Sequence, residues 1–243
     1  MTAALFHLDG ELLVPTELAR GPWDPAALHG GPTAAAVMRG AEAHLITEPG
    51  GLEGGWQVSR MTVELLRPVP LAPLTVDART VRPGRKVRLV AVTVTAGTGE
   101  RAEVARAVVL AVRSRELDLP ARLQPVGVPP PLPEELAPVE LPASGEEWPA
   151  FHNRGVSASV RAAALADFPN GISNELEFRR WRFLNPELSV HFARPPEGDW
   201  IRLAARSLVG PSGVGMAEAS LADHRGDFGR SVQSLLVEPG RPG

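Results

Sequence analysis

The chain carries an internal duplication, and this limits its fold more than any other feature. Sliding the segment 61–109 forward by 127 positions, without gaps, places Arg67-Pro68 on Arg194-Pro195 and Ala78-Arg79-Thr80-Val81 on Ala205-Arg206-Ser207-Leu208. Leu74 falls on Ile201, Gly99 on Gly226, and Val108-Val109 on Leu235-Leu236. Met61, Val63 and Leu65 fall on Leu188, Val190 and Phe192. Two copies are too few for a solenoid, so the expected fold is a paired domain with one plan repeated in each half. On this alignment the counterpart of Gln233 is Arg106.

Between the copies lies "PARLQPVGVPPPLPEELAPVELPASGEEWP", residues 120–149, acidic and without helical or strand periodicity. Proline removes backbone donors and disfavours helix in the residue before it, so this reads as a semi-extended linker. It divides the chain into an N-terminal unit 1–119 and a C-terminal unit 150–243. Each unit begins with one helix: "PTAAAVMRGAEAHLI", 32–46, opened by Gly30-Gly31, and "VSASVRAAALADF", 156–168, stopped by Pro169. Four strands follow each helix. In the first half they are "MTVELLRPV", "LTVDARTVRP", "KVRLVAVTVTAG" and "ARAVVLAVRS". In the second they are "ELSVHF", "WIRLAARSL", "GVGMAEASLADH" and "GRSVQSLLVE". The class is α+β. Alanine-rich helices suit a sheet that wraps closely around them.

Composition excludes several functions. With 243 residues and 44% hydrophobic content the chain can bury a large core. A net charge of −3 gives no footprint for nucleic acid. The absence of cysteine excludes disulfides, a thiolate nucleophile and cysteine-ligated metals, and fits a cytoplasmic protein. The N-terminus lacks a signal-peptide pattern, and no apolar run of about 18 residues predicts a membrane span. No Gly-x-Ser-x-Gly elbow, His-Glu-x-x-His motif or Walker loop is present, and the scattered histidines predict no metal site.

A helix wrapped by a curled antiparallel sheet, duplicated in one chain, resembles the double hotdog acyl-CoA thioesterases of the type II family. "LHGGPTAAAVMRGAEA" is similar to that family's Gly-Gly-led helix, and "LSVHFARP" resembles its Ser-x-x-Phe-x-Arg-Pro strand. The likeness runs from about Trp23 to Val237. It implies hydrolysis of an acyl-CoA, a small-molecule substrate, to free acid and coenzyme A, with no cofactor. Each half supplies what a single-hotdog subunit would, so one chain is a pseudo-dimer, and apolar sheet faces predict further pairing as a homodimer or larger. The resemblance also implies a water held by an aspartate, a hydroxyl residue and a glutamine. The aspartate position matches Asp167 and the glutamine position Gln233. The hydroxyl position is Asn185, a residue that still hydrogen-bonds water through an amide. Ser234-Leu235 stands where the family favours Glu-Gly.

Each of these residues also has a plainer reading. Asp167 lies in "AAALADFPNG", surroundings that would enclose a water. As a simple helix-end aspartate it would sit unfavourably near the negative end of a helix dipole. Gln233 alternates onto one face with Ser231 and Leu235. His29, Gly30 and Gly31 are either a helix start or a site where amides at the positive helix end receive an oxyanion or thioester carbonyl. Arg67 and Arg194 read best as a repeated structural pair. In "FLNPELSVHFARPP", period-two reading puts Asn185, Glu187, Ser189 and His191 on one face, with Asn185 toward a pocket. His191 reads as a packing or pocket-wall residue, and as the only histidine for the Asp–His pair of a hydratase or dehydratase. A non-catalytic acyl-CoA or acyl-carrier binding protein is the alternative to an enzyme, and Asn185 is the feature that favours it.

Overall fold

A computed structural model describes residues 4–52, 54–97, 102–118, 156–173, 176–178 and 180–240. The 120–149 linker lies outside them. Eleven strands form one antiparallel sheet: β1 (Phe6–Asp9), β2 (Leu12–Pro15), β3 (Trp56–Leu65), β4 (Leu74–Pro83), β5 (Val87–Ala96), β6 (Ala102–Arg113), β7 (Trp181–Leu184), β8 (Glu187–Phe192), β9 (Arg202–Val209), β10 (Val214–Asp223) and β11 (Gly226–Pro239). The order is β1-β2-β4-β5-β6-β3-β8-β11-β10-β9, with β7 also on β11, and the sheet does not close. Among the described residues three α-helices pack with it: α1 (Gly30–Thr47), α2 (Ala158–Leu165) and α3 (Pro169–Ile172).

The halves meet where β3 pairs with β8. Thr62 lies opposite Ser189, and these two residues are themselves 127 apart, so the pairing maps onto itself under the repeat. The Ser189 hydroxyl donates to Thr62 Oγ1 at 3.2 Å on this pseudo-two-fold. Strand order is mirrored on either side, β4-β5-β6-β3 against β8-β11-β10-β9. Most strands keep the 127 offset: Arg79 pairs with Ala91 as Arg206 pairs with Glu218.

The last strand does not keep it. Thr62 faces Val108 across β3–β6, whereas its counterpart Ser189 faces Val232 across β8–β11, an offset of 124. The cause is turn length. Five residues lie between the paired Ala96 and Ala102, but two lie between Asp223 and Gly226. An odd shift exchanges the faces of a strand. The structural counterpart of Gln233 is therefore the fully buried Val109, not Arg106, which is exposed and paired with Glu64. Where one half places valine in its core, the other buries an amide.

α1 starts two residues earlier than the sequence suggests, because His29 caps it: His29 Nδ1 accepts from Gly31 N–H at 3.2 Å. Its first three turns are buried nearly all round, from Gly31 through Met38 and again at Ala41 and Leu45. It packs against β3, β4, β5 and β6 of its own half, and against α2. Small side chains make this enclosure possible. α2 is shorter than expected, since Ser157 serves as its N-cap, accepting from Val160 N–H at 3.1 Å. Pro169 then opens α3 from its first turn instead of only ending a helix. It is α3, and not α2, that lies against β9, β10 and β11. One continuous core joins both halves, from Met38, Met61 and Val90 to Leu188, Leu221 and Phe228.

Candidate active site

The segment Leu184–Leu188 determines which way Asn185 points. Leu184 pairs with Leu236 and Ser189 with Val232, so the chain takes five steps on β7–β8 for four on β11. The extra residue is a bulge at Asn185-Pro186, where proline has no ladder donor. Strict alternation therefore fails here. Glu187, Ser189 and His191 stay on the outer face of the sheet, while Asn185 turns inward and lines a cavity. His191 is exposed, opposite Arg60 and Arg230, and is no pocket wall.

Asp167 follows α2 and points away from that helix's negative end. Its carboxylate reaches the N-terminus of α1, where Gly31 N–H donates to Oδ2 at 2.9 Å. The positive end of an 18-residue helix thus faces the charge. Asn185 Nδ2 donates to Oδ1 at 2.7 Å. Gln233 Nε2 donates to Oδ1 at 3.3 Å and to the Asp167 carbonyl at 2.9 Å. His29 Nδ1 lies 3.3 Å from Oδ2. The single Gly31 N–H falls between that ring nitrogen and the carboxylate. If Nδ1 accepts from Gly31, one lone pair of Oδ2 stays open for a further donor. Asp167, Asn185, Gln233, His29 and Gly31 are thus one hydrogen-bonded cluster, and Gly30 lies against it. The histidine beside Asp167 is His29, which the sequence reading offered as a helix start or as part of an oxyanion site.

Both glycines are close approaches. A Cβ on Gly30 would overlap Asp167 Oδ1. A Cβ on Gly31 would stand 2.5 Å from the Ala164 carbonyl oxygen. The first clash is with a side chain and the second with backbone, so two outcomes are expected. Gly31→Ala should cost about 1–3 kcal/mol of stability, measured by denaturant unfolding. Gly30→Ala should displace the carboxylate, at a cost of about 1–3 kcal/mol for its broken hydrogen bonds, and lower activity by up to about a hundredfold.

The cavity beside the cluster measures about 430 Å³. Its walls come from within residues 21–33, 65–69, 167–172 and 182–186, with Phe178 and Leu236, and so from both halves. Trp23, Phe178 and Phe183 form one aromatic group on it, with ring centroids 4.7–5.5 Å apart. Phe168 packs edge-on against His29 at 5.6 Å. Three buried polar atoms in this region have no hydrogen-bond partner: Thr33 Oγ1 and Arg182 Nε, on the cavity wall, and Gln233 Oε1. Sequence reading missed Thr33. Its only signal was a lone hydroxyl in an alanine-rich helix.

Among the described residues the first half holds no equivalent cluster. Strand registers place Val58 and Val109 opposite Asn185 and Gln233, and the 127 offset places Gly40 opposite Asp167. Among the described residues one such cluster is built, and it is asymmetric.

Residues 19–112 match the family model of the acyl-CoA thioesterase N-terminal domain, and residues 113–237 match that of the C-terminal domain. The chain belongs to the acyl-CoA thioesterase family. No curated protein sequence matches it. Solved structures similar to this thioesterase-family chain include the tesB protein of Mycobacterium avium subsp. paratuberculosis, at 14% identity and TM-score 0.65, covering 96% of each chain. The acyl-CoA thioesterase II TesB2 of Mycobacterium marinum has 15% identity and TM-score 0.63, covering 89% of this chain and 92% of its own. A hot dog fold protein from Alicyclobacillus acidocaldarius has 19% identity and TM-score 0.62, covering 98% and 96%. At these identities the likeness is one of fold. Among the described residues, no helix is long and apolar enough to cross a membrane.

Proposed function

We propose that the protein hydrolyses acyl-CoA thioesters by direct attack of water, on a tandem hotdog whose two halves share one working site. The observation that carries this reading is the Asp167 carboxylate, held on the wall of a large apolar cavity by donors from α1, β11 and the β7–β8 bulge. Asp167 takes the proton of the attacking water. Asn185 and Gln233 fix the carboxylate, and the unpartnered Thr33 hydroxyl supplies the hydroxyl contact that Asn185 cannot. Gly31 N–H is shared between Asp167 and His29 Nδ1, so the carbonyl oxygen falls to the Gly30 N–H at the positive end of α1 and to the second Asn185 N–H. His29 orders the Gly31 amide. The water oxygen bonds to the carbonyl carbon, the C–S bond breaks, and the thiolate leaves with the proton that Asp167 collected. No covalent enzyme intermediate is required.

The test is thiol release from a panel of acyl-CoA substrates. Turnover with at least one acyl length supports the reading. Tight acyl-CoA binding with no release would favour a binding protein instead. We further propose a homodimer or larger, since Leu208, Val214 and Leu236 leave exposed apolar surface on one face of the second half. A sedimentation mass near 25.8 kDa would contradict that.

A further inference from the structure

Arg67 and Arg194 are repeat counterparts, yet their surroundings differ. Arg194 is a structural residue: it donates to both carboxylate oxygens of Asp223, at 2.7 and 2.6 Å, and to the Gly226 carbonyl at 2.8 Å. The counterpart of Asp223 in the first half is Ala96, at the same register position against β4. Without that acid, Arg67 is released from the sheet. It is exposed and lines the cavity that holds Asp167. A second arginine, Arg182 on β7, lines the same cavity, and its buried Nε has no hydrogen-bond partner. Among the described residues neither guanidinium has an ion-pair partner. The remaining acid on the wall, Asp24, accepts from Ala26 N–H at 2.9 Å and pairs with neither arginine.

Two unpaired guanidiniums on a mostly apolar wall call for an anion. Their place says which end of the substrate carries it. Asp167 is 8% exposed, whereas Arg67 is an exposed residue, so the arginine stands toward the mouth and the carboxylate lies deeper. The acyl chain of a thioester belongs inside, among apolar side chains. The thiol carrier trails outward to solvent. We propose that Arg67 and Arg182 bind the phosphate of the substrate's phosphopantetheine arm, a group common to coenzyme A and to acyl-carrier proteins. Planar guanidinium forks suit phosphate oxygens. This rests on the thioesterase reading and extends it to a carrier subsite.

The experiment compares one acyl group on three thiols: coenzyme A, phosphopantetheine and pantetheine. Arg67→Ala and Arg182→Ala should each raise KM about tenfold for the first two, the scale of one charge-assisted hydrogen bond. Hydrolysis of the pantetheine thioester, which has no phosphate, should be unchanged and shows that each variant is folded. The wild-type KM for the phosphate-bearing substrates should also rise with ionic strength. An equal effect on all three thiols, or on none, overturns the proposal. An effect on coenzyme A alone would place the arginines on its nucleotide phosphates and overturn the pantetheine assignment. Calorimetric titration of phosphopantetheine itself gives a readout that does not depend on hydrolysis. If wild type hydrolyses no thioester but binds phosphopantetheine more tightly than either variant does, the enzymatic reading fails and the subsite stands.

Discussion

Asp167→Asn is expected to lower acyl-CoA hydrolysis by about 10²–10⁴, the range assigned to a positioned general base. The shape is nearly kept, so loss of the proton acceptor is the main change. Some stability should go with it. Both carboxylate oxygens now accept, from Gly31 on one side and from Asn185 and Gln233 on the other. An amide can accept on one side only, so one N–H would face another N–H. That should cost about 1–3 kcal/mol, visible as a fall in Tm of several degrees without loss of cooperativity. Gln233→Ala should reduce activity less, because Gln233 holds the carboxylate and does not touch substrate. Asn185→Thr leaves one O–H donor where two N–H donors stood, so it should lower turnover, though by less than Asp167→Asn. Unchanged hydrolysis in Asp167→Asn would rule out water activation at this carboxylate.

Much of the fold could be read locally, and the exceptions have long-range causes. β4 and β8 lie where period and β-branched content put them, because alternation survives when one sheet face packs on helices. β7 did not stand out, because a four-residue strand ending at Asn185-Pro186 has too short a period to register. The N-terminal hairpin β1–β2 is equally short, and is fixed by pairing to β4 at Leu13–Leu74. The gapless repeat misplaced β11, since a difference in turn length shifts the register without disturbing the apolar pattern on either side.

The site shows the same division. Asp167, Asn185 and Gln233 were accessible from the resemblance, and the structure brings them together with His29 and Gly31. Their meaning changed in detail. Gly31 proved to be a ligand of the carboxylate, and the close glycine pair is what lets α2 deliver Asp167 to α1. Thr33 and Arg182 acquire a role only through the cavity they share, which no local pattern encodes. His191 drew attention by its chemistry, but alternation along β8 keeps it on the outer face, and the one-residue bulge turns only Asn185 inward.

The arginine pair gives the largest stability prediction. Asp223 is fully buried and meets Arg194, Glu197 N–H and Arg225 N–H. Burial alone would raise its carboxyl, but the hydrogen bond from Arg194, the two backbone donors and the Arg194 charge outweigh that and lower it to about 2 from 3.8. A carboxyl lowered by folding contributes stability above its unfolded value, and loses it as pH falls through the folded one. The contribution is therefore complete above about pH 5, declines through pH 4 to 2, and amounts to about 2 kcal/mol. Removing the acid is harsher. Asp223→Ala strands Arg194, 18% exposed and seated near the Phe228 ring, without its bidentate partner. Breaking such a pair from one side costs about 3–5 kcal/mol. Urea unfolding of Asp223→Ala should show that loss at pH 7 and much less acid sensitivity between pH 4 and 2 than wild type. Equal acid sensitivity in the two proteins would mean that other carboxylates govern the transition. Arg67→Ala should leave stability within about 0.5 kcal/mol, as for a surface change, because Ala96 gives that arginine nothing to hold. The same residue at the same repeat position would then hold the fold in one half and be free for substrate in the other.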